Sequence, residues 1–364
     1  MSDLFKSDSV GTGVVEMFPA RVKHKTFLLA GLVRGDLAAT TADALAHGGA
    51  GAIIFTGYSQ PELQPVIDHI NRKHPKVKII FITADTGSLA SIQEAAAIVK
   101  KLTVPIDGII GFPTVMAAPW ETTADGIESQ FQRNYLCHFL LVNLLLPTMS
   151  PESRVVLITT SIRREALAPN WEDVDKTSES EEAYHPLDGY AQSMFANILF
   201  VKLLARVGAD RSIAAFSANP GNTKTNVQTH VSPEEVSSWL QRKKEGMFET
   251  LPSIYPRDYK PGSDGASHSK LARICPSSCS KHPNPWRRAV RPFFVDCWTR
   301  YSKVRGLRDQ HIHKTYRHSS DQSGAFLDNC QVLSLPHLDF PEGEDSAKVL
   351  WTCSEELVRA YLEA

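Results

Sequence analysis

From Lys25 to about Gln228 short apolar runs alternate with longer amphipathic ones. A chain with that alternation is restricted to parallel strands joined by crossover helices. Six runs read as strands: Thr26–Ala30, Ala52–Phe55, Val77–Ile82, Gly108–Ile110, Arg154–Ile158 and Ile213–Ser217. They are nearly all apolar, as strands covered on both faces should be. Helices are expected over Asp36–Ala46, Pro61–Lys73, Leu89–Lys101, Ile127–Leu146 and Gly189–Val207. In the last of these Tyr190, Met194, Ile198 and Val201 recur every three or four residues and share one face. The apolar stretch Phe139–Pro147 contains Asn143 and falls well short of the ~20 residues that span a bilayer, so it reads as a buried helix and no transmembrane segment is expected. The expected fold class is α/β, a doubly wound parallel sheet.

With 364 residues, 42% of them hydrophobic, the chain can bury one large core or two smaller ones, which excludes disorder throughout. The balance of 39 Lys+Arg against 40 Asp+Glu offers no overall field for a nucleic-acid backbone or an anionic membrane. No nucleic-acid partner is expected. The start, Met1 to Phe18, lacks a basic region followed by an apolar one, and six Cys do not make a disulfide scaffold, so a cytoplasmic location with reduced thiols is expected. Pro (22) outnumbers Gly (21), and Cys and His fall mostly in the second half. There the periodicity stops after about Lys243 and returns as an amphipathic helix over Ser346–Leu362. The expected organisation is an arm over residues 1–24, a dinucleotide-binding domain over 25–245, an irregular basic insertion over 246–331, and 332–364 completing the domain. A structureless stretch of that length is improbable inside a compact domain. It is an insertion, a mobile lid, or a segment outside the folded unit such as a translated intron. Its Cys275, Cys279, His311 and His313 do not have the spacing of a structural zinc site, and no metal is expected. Its Arg287–Arg308 cluster with interleaved aromatic residues leaves a binding module as a lesser alternative.

The first strand runs into Ala30-Gly31-Leu32-Val33-Arg34-Gly35-Asp36-Leu37 and straight on into a helix. A Rossmann-type turn needs glycines where the backbone bends and approaches a pyrophosphate at the helix N-terminus, and Gly31 and Gly35 fill two of those places. Leu37 fills the third. The cradle would place Arg34 and Asp36 beside the cofactor as well. Asp85, after the third strand, is suited to accept from an adenine amino group or to cap a helix. The second strand ends in Phe55-Thr56-Gly57-Tyr58 with no acid for a ribose 2′-hydroxyl, and Arg34 stands in the turn, so NADP is favoured over NAD.

Five groups of residues, in this order, give the chain its resemblance to the short-chain dehydrogenase/reductase family, in its retinol-dehydrogenase-like branch. They are the glycine turn, Asn134 in Phe131-Gln132-Arg133-Asn134-Tyr135, Thr159-Thr160-Ser161 at the end of the fifth strand, Tyr190-Ala191-Gln192-Ser193-Met194, and Pro220-Gly221-Asn222-Thr223-Lys224-Thr225. The resemblance implies Tyr190 as proton donor, Thr160 or Ser161 as the hydroxyl orienting a substrate carbonyl, and Asn134 as support for a proton-relay water. It implies cofactor contacts from Tyr190, position 194, Pro220, Gly221, Thr223 and Thr225. A homo-oligomer is also implied.

Besides Leu37 in the glycine turn, the chain departs from that pattern in two places. Gly111-Phe112-Pro113-Thr114 replaces the family's Asn-Asn-Ala-Gly, and Met194 occupies the place of the catalytic Lys. A thioether neither holds a ribose nor lowers a neighbouring phenol's pKa, and at pKa about 10 only about one Tyr in a thousand is ionised near neutrality. Protonated Tyr190 still suits carbonyl reduction. The function expected is an NADP(H)-dependent reductase of a carbonyl or related group on a hydrophobic small molecule, in secondary metabolism. The alternative is a protein of this fold that has lost the redox step, a pseudoenzyme or a non-redox cyclase or isomerase, in which Tyr190 only packs. Asn134, Thr160 and Ser161 have plain structural readings too. Asp188 and His185, at the start of the Tyr190 helix, are candidates to cap it or to take over acid-base work, and capping is the role favoured for Asp188.

Overall fold

The computed structural model describes residues 10–32, 36–160, 184–221, 227, 230–232, 234–239, 241, 323, 325–328, 331–333 and 341–363. Eight strands form one sheet: β1 (Thr26–Leu32), β2 (Ala52–Gly57), β3 (Lys78–Thr83), β4 (Ile106–Gly111), β5 (Met149–Ile158), β6 (Ala214–Asn219), β7 (Phe326–Asp328) and β8 (Gln331–Leu333), in the order β3-β2-β1-β4-β5-β6-β7-β8. All neighbouring pairs are parallel except β7 with β8. The order reverses at β1, and in such sheets a ligand lies beyond the carboxyl ends of the strands at that switch. The doubly wound α/β sheet expected from the sequence is the fold observed.

Among the described residues the helices that flank the sheet include α1 (Gly11–Met17), α2 (Asp36–His47), α3 (Gln60–Lys73), α4 (Leu89–Lys101), α5 (129–145), α6 (Pro186–Val207) and α7 (Pro341–Leu362). Successive strand residues face opposite sides, so Leu28 and Ala30 enter one core while Phe27 and Leu29 enter the other. The first core lies under α4, α5, α6 and α7, the second under α1, α2 and α3. Tyr135, Phe139, Phe200 and Trp351 interlock in the first, with Phe139 and Phe200 ring centroids 5.0 Å apart and Trp351 5.2 Å from Phe139. Burial of Phe139 and Phe200 contributes roughly 1.5–3 kcal/mol each. The Tyr135 hydroxyl pairs with Ser354 Oγ at 2.7 Å, and Gln93 Nε2 donates to the Tyr361 carbonyl at 2.8 Å, fastening α7 to α5 and α4.

Helix α5 is not uniform. It begins as Ser129–Phe131, widens to a π-helical stretch over Gln132–Leu136 and continues as Cys137–Leu145. Such widening frees backbone carbonyls and concentrates at functional sites.

Several elements differ from the sequence expectation. Strands β7 and β8 were not expected, since three residues each are too few for a period to register. Strand β7 lies within 246–331, so that stretch rejoins the sheet before its end; residues 242–322, including Cys275, Cys279, His311, His313 and the Arg287–Arg308 cluster, lie outside the described residues. Part of the N-terminal arm is helical, with Val14 and Val15 buried in the second core. Helix α6 starts at Pro186, a residue suited to the first turn because it needs no amide hydrogen there. Its N-cap is His185, whose Nδ1 accepts from the Leu187 amide at 3.3 Å, so Asp188 is not the cap. Asp188 Oδ1 instead accepts from Trp239 Nε1 at 3.2 Å.

Candidate active site

The site lies beyond the carboxyl ends of β1, β4, β5 and β6. Gly31, next to last in β1, has φ +78, which an L side chain rarely adopts. A Cβ there would meet the Phe112 carbonyl at 2.6 Å, His138 Cε1 at 3.1 Å and Thr114 Cγ2 at 3.2 Å. Glycine at this position lets the chain after β4 fold tightly over the end of β1, where Phe112 N donates to the Ala30 carbonyl at 2.9 Å. Residues 33–35, with Arg34 and Gly35, lie outside the described residues, as does the side chain of Asp36, which opens α2. Leu37, in the third glycine's place, is buried in the second core. It serves packing.

His138 supports this turn from α5. Its Nε2 lies 3.0 Å from the Phe112 carbonyl, which can only accept, so Nε2 carries the hydrogen. Burial pushes its pKa down to about 4, and the ring is neutral at physiological pH. Asn134 holds the same loop. Its Oδ1 accepts from the Thr114 and Val115 amides at 3.0 and 3.2 Å, and its Nδ2 donates to the Val115 carbonyl at 2.9 Å and to Ser193 Oγ at 3.1 Å. Its carbonyl, freed by the π-helical stretch, accepts from Asn197 Nδ2 at 2.9 Å. Every polar group of the Asn134 side chain is therefore engaged in joining the β4 loop to α6. The motif that singled out Asn134 gave no hint of Ser193 and Asn197, whose buried side chains complete the junction.

Ser193 Oγ also donates to the Tyr190 carbonyl at 2.8 Å. Tyr190 is 6% exposed, in an apolar cluster with Met116, Ala117, Leu187, Ala191, Met194 and Trp239. No hydrogen bond reaches its hydroxyl among the described residues. Burial pushes its pKa up from the usual 10, with no neighbouring cation among the described residues to oppose it. Met194 is wholly buried, and its carbonyl accepts from Thr159 Oγ1 at 2.9 Å. Thr159 is thus a structural residue, and Thr160 stands partly exposed just beyond β5; Ser161 lies outside the described residues. Trp239 was missed by sequence reasoning because one tryptophan in an aperiodic stretch carries no pattern.

Beyond β6, Asn219 Oδ1 accepts from the Gly221 amide at 3.1 Å, and Gly221 has φ +75. Pro220 and Gly221 begin the loop next to Thr160, since Thr159 N donates to the Ala218 carbonyl at 2.9 Å. Thr223 and Thr225 lie outside the described residues. Asp85 follows β3, where its Oδ1 accepts from the Gly87 amide at 2.8 Å and from Arg133 Nη1 at 3.0 Å. Ahead of α5, the Glu128 carboxylate accepts from the Gln130 and Phe131 amides at 2.9 and 2.6 Å and from the Tyr184 hydroxyl at 2.7 Å, and burial raises its pKa. Among the described residues there is no group of side chains able to hold a metal and no helix long and apolar enough to cross a membrane.

Glycine where backbone must approach backbone, and loops gathered beyond the carboxyl ends of the strands at the switch in strand order, form the kind of crevice in which doubly wound sheets take a ligand. Residues 25–169 match the family model described as short chain dehydrogenase. An oxidoreductase of Fusarium equiseti is 30% identical over 244 residues, which are 60% of this chain and 95% of that protein. Human polyprenol dehydrogenase is 32% identical over 188 residues, 49% of this chain and 55% of its own length, and mouse retinol dehydrogenase 14 is 34% identical over 156 residues, 42% and 45%. The chain thus spans about half the length of these two. The crystal structure of an uncharacterised protein from Mycobacterium paratuberculosis superposes with a TM-score of 0.60 at 20% identity, covering 97% of this chain and 98% of that one, which shows the shared fold. This chain belongs to the short-chain dehydrogenase/reductase family, whose oxidoreductases use nicotinamide cofactors.

Proposed function

We propose that this protein is an NADP(H)-dependent oxidoreductase that reduces a carbonyl or related group on a hydrophobic small molecule in secondary metabolism, with Tyr190 as proton donor. The observation that carries this reading is the Tyr190 hydroxyl, held protonated by burial in an apolar cluster with no cation beside it among the described residues. A group so placed gives up a proton to a developing alkoxide more readily than it serves as the base that alcohol oxidation requires. The cofactor, when bound, supplies the hydride. Gly31, Arg34, Gly35 and Asp36 would hold its pyrophosphate side, Asp85 its adenine, and Pro220, Gly221, Thr223 and Thr225 the nicotinamide half. Thr160 or Ser161 would orient the carbonyl oxygen. Asn134 fixes the β4 loop against α6 and contributes to the relay through that architecture. The absence of an acid after β2 and the presence of Arg34 support a 2′-phosphate over a bare hydroxyl.

The buried, apolar Met194 favours a second reading, in which the fold is kept and the redox step lost. A thermal-shift titration with NADPH and NADH, followed by NADPH oxidation against lipophilic aldehydes and ketones, separates the two. The reductase reading expects NADPH to raise the unfolding midpoint more than NADH and Tyr190→Phe to abolish turnover while leaving NADPH binding intact. Binding without turnover across the panel at high protein concentration supports the second reading, and binding of neither nucleotide refutes the first.

A further inference from the structure

Arg133 has no role in the reading above, yet its side chain is held from several sides. Its Nη1 donates to Asp85 Oδ1 at 3.0 Å and its Nε to Ser129 Oγ at 3.2 Å. The guanidinium carbon and both terminal nitrogens lie where a side chain on Gly87 would begin, so the planar group rests against bare backbone. Asp85 is fixed in turn: its own amide donates to Ser91 Oγ at 3.0 Å, and its Oδ1 is engaged by Gly87 N and Arg133. Its Oδ2 has no partner among the described residues. Neither side chain is fully buried, at 27% exposure for Arg133 and 33% for Asp85. The pair connects directly to the glycine turn, because Thr86 Oγ1 lies 3.3 Å from Thr114 Oγ1 and Thr114 lies against Gly31.

A planar cation fixed on one face and a carboxylate oxygen open beside it suit a flat π-system that carries an amino group. We propose that Arg133 is the stacking platform for the adenine ring of the dinucleotide, positioned so that Asp85 Oδ2 accepts from the ring's exocyclic amino group. This rests on the dinucleotide reading of the site. Arginine stacks better than lysine because its charge is spread over a plane and more weakly hydrated. Gly87 is part of the device, since any side chain there displaces the guanidinium.

The test measures calorimetric dissociation constants of the full-length protein for NADPH and for 2′,5′-ADP, the half that lacks nicotinamide. Arg133→Met should weaken both ligands by about tenfold and by the same factor. Arg133→Lys, which keeps the charge and the reach to Asp85 but not the plane, should fail to restore either. Gly87→Ala should reproduce the loss, and the double variant Gly87→Ala/Arg133→Met should be no weaker than Arg133→Met alone, because both act through one contact. The unfolding midpoint of each variant without ligand checks that the fold is retained. Unchanged affinity in Arg133→Met, full rescue by Lys, or a loss confined to NADPH overturns the platform while leaving the dinucleotide site standing. A wild-type protein that binds neither ligand overturns the dinucleotide reading and the platform with it.

Discussion

Replacing Met194 by Lys restores the one charge whose absence most changes the chemistry of Tyr190. The two residues are one helical turn apart, about 5–6 Å between Cβ atoms, and share the apolar cluster under Trp239. At about 5 Å and an effective dielectric constant near 20, an ammonium stabilises a phenolate by about 3 kcal/mol. That is roughly two pKa units. Alcohol oxidation starts from the phenolate as base and should gain up to about 100-fold in kcat/KM. Carbonyl reduction develops only part of that charge at the transition state and should gain about tenfold. Met194 is wholly buried, so placing an unpaired ammonium there should lower the stability of the ligand-free protein by about 3–5 kcal/mol. NADPH should recover part of that loss. Stopped-flow traces of reduced-nicotinamide absorbance in both directions, with wild type, Met194→Lys, Tyr190→Phe and the double variant, give the rates. A folded, NADPH-binding Met194→Lys protein with unchanged rates would refute the assignment of Tyr190 as proton donor. So would a gain that survives Tyr190→Phe.

Gly31→Ala should cost about 1–2 kcal/mol for left-handed backbone alone and force the Phe112 carbonyl away, so calorimetry should find NADPH affinity down at least about tenfold. Asn134→Ala leaves the partly buried Thr114 and Val115 amides without their acceptor and should lower unfolding stability in urea by about 1–3 kcal/mol. His138 is held neutral by burial, with a folded pKa of about 4 against 6.5 when unfolded, so the unfolded chain binds the extra proton. Its contribution is fully present above pH 6.5 and declines as pH falls toward 4, by about 3 kcal/mol in total. Denaturation between pH 7 and 4 should therefore show a shallower loss in His138→Gln, which keeps a donor for Phe112, than in wild type; equal slopes would place the pH sensitivity elsewhere.

β1, β2, β4 and β6 were legible because each is a nearly unbroken apolar run, and burial on both faces demands that composition; the edge strand β3 was legible although only half-buried, and β5 only over Arg154–Ile158, since its Ser-Pro-Glu-Ser start has no apolar pattern. β7 and β8 owe their place to pairing with β6 and with each other, which no local pattern records. The site divides along the same line. Gly31 was readable because only glycine tolerates that backbone, and Tyr190 because its helix carries a recognisable spacing. His138 and Ser193 have no local signal of their role: one looks like a polar interruption in an apolar helix and the other like filler between two motif positions. Both act on groups distant in sequence, Phe112 and Asn134. Asp188 looked like a cap because acids favour a helix start, yet the His185 ring reached the Leu187 amide and left the carboxylate to Trp239.

Helix α7 bears on how this molecule is assembled. Its Ser354 meets Tyr135 across 219 positions of sequence and its Tyr361 meets Gln93 across 268, while Ala215 on β6 donates to Ser323 across 108. Contacts this remote cannot form until the last segment of the described chain has been synthesised. Until then the outer flank of α4, α5 and α6, with Phe139 and Phe200 facing α7, stays open to water. Loop-closure entropy grows only with the logarithm of separation, about 0.6 kcal/mol per doubling, so the long intervening sequence weighs more on folding speed than on final stability. A nascent chain halted before α7 therefore presents a sticky aromatic flank to chaperones, and arrival of that helix is the step that covers it.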